Sequence, residues 1–66
     1  MERVTVYNRI NGLRYIESRA KEALENLKGG KHYEGKEEDF ARLEKVIRDA
    51  QIERLEMELV RERMNS

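Results

Sequence analysis

Residues 40–64, FARLEKVIRDAQIERLEMELVRERM, contain neither glycine nor proline. The stretch reads as one long helix. At about 100° per residue, Phe40, Leu43, Val46, Ile47, Ala50, Met57 and Met64 fall on one face. Ile52, Leu55 and Leu59 make a second stripe roughly 150° away on the same wheel. A helix packed on one neighbour needs one stripe, so two stripes imply two neighbours. Arg54 and Arg61 stand where the first stripe would continue, which suggests that this stripe has lost its intrachain partner there.

Working outward, residues 29–36 (GGKHYEGK) form a polar loop, and Glu37, Glu38 and Asp39 suit the positive end of the helix that follows. Upstream, Ile10, Leu13, Ile16, Ala20, Ala23, Leu24 and Leu27 recur at three- and four-residue steps, predicting a first helix. Asn8 or Asn11 can cap its start, and Lys28 with Gly29-Gly30 marks its end, with a left-handed cap position at the glycines. Asn11-Gly12 between Ile10 and Leu13 is also a hairpin signal. It would set Arg9 opposite Arg14, an unfavourable pairing, so the helix is the better reading. Three ion pairs at four-residue spacing, Glu17→Lys21, Glu38→Arg42 and Glu44→Arg48, support helices with solvated outer faces. Val4 and Val6 alternate with Arg3, Thr5 and Tyr7, the period-two pattern of a short extended segment.

The expected fold is therefore all-α. Residues 1–7 form a short extended N-terminal arm, 8–28 helix 1, 29–36 a loop and 37–64 helix 2, the whole an antiparallel helical hairpin in a single small domain. Helix 2 is expected to overhang helix 1, leaving Ile52, Leu55, Leu59, Val60 and Met64 open. Oligomerisation into a helical bundle would complete the fold.

Composition points the same way. A 66-residue chain has a core that supplies only about 3–5 kcal/mol without reinforcement. The chain has no cysteine, which removes disulfides, thiolate zinc sites and cysteine nucleophiles, and association with other chains is left as the reinforcement. Fourteen basic and fourteen acidic side chains give a net charge of zero, so no overall field draws the protein to nucleic acid or to an anionic membrane. No stretch approaches a membrane span or a signal peptide, and a soluble, cytoplasmic protein is expected.

The motifs that could carry chemistry fail on inspection. Residues 30–37, GKHYEGKE, approach the phosphate-binding pattern GxxxxGK[ST], but Glu37 replaces the magnesium-holding hydroxyl and would repel phosphate. Lys31, Tyr33 and Lys36 with Lys28 and His32 could touch a phosphate backbone, against the diluting charge of Glu34, Glu37 and Glu38. His32 is the only histidine and has no companion ligands at metal spacing. No catalytic residue, cofactor or metal is expected, and the chain does not read as an enzyme.

Two function classes follow. The first is a small oligomeric protein–protein interaction module that regulates or inhibits a partner by covering its surface. Ile52, Leu55, Leu59 and Val60 would form its interface with a second copy or a different protein. For the second, a strand followed by two helices resembles the ribbon-helix-helix family over the order of elements and about six residues. The resemblance implies a dimeric DNA-binding transcriptional regulator in which paired N-terminal strands enter the major groove. Arg3, Thr5 and Tyr7 would face outward as readers, with Val4 and Val6 inward.

Overall fold

The computed structural model describes residues 3–65, which form two α-helices, α1 (Arg3–Gly29) and α2 (Lys36–Asn65). They pack side by side as an antiparallel hairpin with overall dimensions of 50 × 14 × 13 Å. At the connector end, the Lys28 ammonium lies 5.8 Å from the centre of the Phe40 ring. At the other end, Arg3 donates from its guanidinium to the Met64 carbonyl at 3.5 Å.

The seam has a heptad rhythm. On α1, Val6, Ile10, Leu13, Glu17 and Ala20 are buried, and Leu24 and Leu27 half-buried, in steps of alternately four and three residues. On α2 the same steps run through Phe40, Leu43, Ile47, Ala50, Arg54, Met57, Arg61 and Met64. Such spacing keeps one stripe of each helix turned toward its partner along the whole length.

Several expectations are corrected. The arm is not extended: Arg3 to Tyr7 are the first turns of α1. Met1 and Glu2, also assigned to the arm, lie outside the described residues, as does Ser66. Val6 explains the change, because it continues the heptad of Ile10 and Leu13 and is fully buried there. Burial on α2 outweighs the weak preference of Val and Thr for strands, and an isolated strand would have no edge to pair with. The ribbon-helix-helix resemblance needed that strand and falls with it. Asn8 and Asn11 do not cap the helix but sit exposed in its interior, and Gly12 is helical too.

Nor does α2 overhang. With 27 and 30 residues, the two helices run nearly the same length. Arg54 and Arg61 consequently have intrachain partners. Arg54 Nε lies 3.5 Å from Glu17 Oε2, and the Arg61 guanidinium stacks 5.6 Å from the Tyr7 ring centre. Ile16 and Val46, placed in the seam by the sequence reading, sit at its edge and are 42% and 38% exposed. Ala23 is likewise exposed.

The connector is more ordered than a polar linker need be. Tyr33 to Lys36 form a turn closed by the Lys36 amide donating to the Tyr33 carbonyl at 3.1 Å. Gly35 occupies its third position at φ +89°, a backbone conformation that favours glycine. The left-handed cap expected at Gly29-Gly30 is not taken, since Gly35 alone has positive φ among the described residues. Lys36 Nζ instead donates to the carbonyls of Gly30 (2.7 Å) and Lys31 (3.2 Å), bringing positive charge to the C-terminal end of α1. Glu37, Glu38 and Asp39 occupy the first turn of α2, as expected.

Candidate interaction surface

Seen down its axis, α2 carries apolar side chains nearly all round, so its two stripes almost cancel. The seam takes one stripe. Ile52, Leu55 and Leu59 lie on the back, 50%, 55% and 56% exposed. Their exposure does not come from an overhanging end, because α1 runs beside this part of α2 and still leaves them uncovered. Leu55 and Leu59 floor a shallow groove of about 410 Å³ walled by Glu58 and Glu62. Val60, grouped with them in the sequence reading, is half-buried. It belongs to the row of Val46 and Glu53, seven residues apart along α2.

Glu58 connects the groove to the seam. It accepts hydrogen bonds from Arg54 Nη1 at 3.1 Å and from Arg14 Nη2 at 3.3 Å. Burial pushes its carboxyl up, but the bonds and charges of these two arginines outweigh burial and hold it below the usual carboxylate value. One turn further inside, Glu17 is buried in the seam. Its Oε1 accepts from Gln51 Nε2 at 2.7 Å and lies 3.3 Å from Lys21 Nζ. The bond from Gln51 is the main cause that lowers the Glu17 pKa. Burial opposes it, and Lys21 and Arg54 add to the lowering. Arg54 Nε is within ion-pair reach of Glu17, yet it is buried without a hydrogen bond of proper geometry among the described residues.

The sequence reading missed this polar layer. The signal was present in the spacing: Glu17 stands four residues after Leu13 and three before Ala20, the rhythm of the seam itself. Counting apolar residues alone skipped it in favour of Ile16.

The residues considered for nucleic-acid contact are split between the two ends of the hairpin. Arg3, Thr5 and Tyr7 lie at the open end, whereas Lys31, Tyr33 and Lys36 lie at the connector, so no single groove collects the six. Three of them, Arg3, Tyr33 and Lys36, also have side-chain hydrogen bonds within the chain. The Tyr33 hydroxyl donates to Asp39 Oδ2 at 2.7 Å, a bond that raises its pKa. Lys36 is held by loop carbonyls, so its ammonium is committed to the turn and not offered to a phosphate. Among the described residues, no group of three or more His, Asp or Glu side chains is arranged to hold a metal ion. No described helix is long and apolar enough to cross a membrane. The chain matches no protein-family model, no curated protein and no solved structure.

Proposed function

We propose that this protein is a small oligomeric protein–protein interaction module of the cytoplasm, which regulates a partner protein by occupying part of its surface. The observation that supports this reading is the stripe of Ile52, Leu55 and Leu59. It stays exposed on the back of α2 although the seam is covered along its full length. Three large aliphatic side chains at three- and four-residue steps form the kind of ridge that accepts an amphipathic helix. Glu62, beside the groove, fits a partner helix that carries a basic residue next to its apolar anchors, whereas Glu58 is already held by Arg14 and Arg54. Leu55 and Leu59 are the anchors on this side, and Glu62 sets selectivity.

Paired capture from lysate on the wild-type protein and on Leu55→Glu/Leu59→Glu, both immobilised at equal helicity, tests the proposal. The expected result is a protein retained by the first and lost from the second, with cross-links that map to a basic amphipathic helix. Identical retention on both would reject the stripe as the contact surface.

A further inference from the structure

The two edges of the seam differ in chemistry. Arg9 and Arg14 lie about 140° apart on α1, straddling the seam, and mark one edge each through their partners Glu53 and Glu58. Along the Arg14 edge, α1 presents Tyr7, Arg14, Lys21 and Lys28 in a seven-residue row, and α2 answers with Glu44, Gln51 and Glu58. This edge is mostly polar: Arg14 pairs with Glu58 across it, and Lys21 and Gln51 both contact Glu17. Along the Arg9 edge the rows read Arg9, Ile16, Ala23 on α1 and Val46, Glu53, Val60 on α2. Between these rows the Arg9–Glu53 ion pair is set among the aliphatic side chains of Ile16, Val46 and Val60.

At the centre of that edge Leu13, Ile16, Val46 and Ala50 open into a groove of about 260 Å³, bordered by Asp49 and Glu53. Ile16 is the middle residue of α1, and Ala50 stands at the middle of α2. We infer that this edge is the face on which a second copy of the chain docks, joining two hairpins into a four-helix bundle around Ile16 and Val46. The inference rests on the oligomeric part of the function proposed above and assigns it to a face distinct from the Leu55–Leu59 stripe.

Three observations select a second copy as the occupant. A patch centred on the length of the hairpin lets a two-fold axis overlay both molecules along their full length, and a self-complementary patch is what such an interface requires. Both helices contribute to the strip, so two copies would set aliphatic side chains from four helices against one another, with the exposed Ala23 permitting close approach. Finally, the described core of one chain is thin: the buried apolar residues are Val6, Ile10, Leu13, Ala20 and Ala50, two of them alanines. A hairpin with so little buried needs another layer, and apolar residues on the seam plus one edge are the pattern of a bundle helix.

The test is absolute mass by light scattering from low to several hundred micromolar, with helicity followed over the same range. The wild type is expected at twice the chain mass, with helicity that falls on dilution as the dimer dissociates. Ile16→Ala/Val46→Ala should keep its helix at high concentration and dissociate at about a hundredfold higher concentration. Ile16→Glu/Val46→Glu should be monomeric or unfolded throughout. Leu55→Glu/Leu59→Glu should remain a dimer, which separates this face from the stripe. A wild type of single-chain mass at every concentration would overturn the inference. So would an unchanged dissociation midpoint in the alanine variant, or dissociation on changing the stripe.

Discussion

Glu17 and Arg54 face one another across the seam, Oε2 to Nε at 3.5 Å, at heptad positions where their neighbours are aliphatic. With Gln51, Lys21 and Glu58 they make a polar layer through the middle of the hairpin. Such a layer costs stability relative to aliphatic packing but penalises every register in which its members lose each other.

Replacing one member should therefore be worse than replacing both. Glu17→Leu leaves the buried Arg54 Nε and Gln51 without their carboxylate and should cost about 1–3 kcal/mol in urea unfolding. Glu17→Leu/Arg54→Leu should recover that loss and exceed the wild type, while admitting other pairings that show as several oligomeric species on a sizing column. A double variant no more stable than Glu17→Leu would mean that the layer is not a self-contained unit.

Acid should loosen the hairpin. Glu17 and Glu58 are both held below the usual value of 4.5 in the folded chain. The unfolded chain then takes up protons first as the pH falls. The stabilisation from these two groups is complete above about pH 4.5 and is lost as the pH drops through their lower folded values. Thermal melts between neutral pH and pH 3 should show this decline, and Glu17→Gln should make it shallower.

Two glycines should respond in opposite directions. A Cβ at Gly12 would meet nothing within 4 Å, so Gly12→Ala should stabilise α1 by about 0.5–1 kcal/mol. Gly35 has equal space but sits at φ +89°, so Gly35→Ala should destabilise by about 1 kcal/mol. Denaturation midpoints of the two variants should fall on either side of the wild type.

Lys36 is a structural residue of the connector. Lys36→Ala removes its bonds to the carbonyls of Gly30 and Lys31 and should speed amide exchange in residues 30–36. Capture of the partner at the α2 stripe should be unaffected. Loss of that capture would give the connector a functional role that its geometry does not suggest.

Much of the architecture was legible because periodicity reports burial directly. Ile10, Leu13, Ala20, Leu24 and Leu27 on one helix and Phe40, Leu43, Ile47 and Ala50 on the other define a helical hairpin wherever their exact edges fall. The second stripe was legible for the same reason, since Ile52, Leu55 and Leu59 cannot share a face with Ala50. What escaped was decided by tertiary contact. Val6 could alternate with Val4 in a strand or step to Ile10 in a helix, and only the neighbouring α2 chooses between them. Arg54 and Arg61 read as interruptions because a wheel scores them as polar, whereas across the seam they meet Glu17 and Tyr7. Ile16 and Val46 lie so near the seam on the wheel that their place at its edge depends on which neighbours α1 and α2 present to each other.

The contact between Arg3 and Met64 spans 61 residues, whereas Lys28 and Phe40 meet across the short connector. Closing the small loop costs about 1.4 kcal/mol less in chain entropy than closing the large one. The seam should therefore zip from the connector outward, and the polar layer is met midway, before the arginines at the open end can engage. A circular permutant that joins the two ends and opens the chain at residues 30–35 would reverse this order while leaving every seam pair in place, and its folding rate would report how far the connector governs assembly.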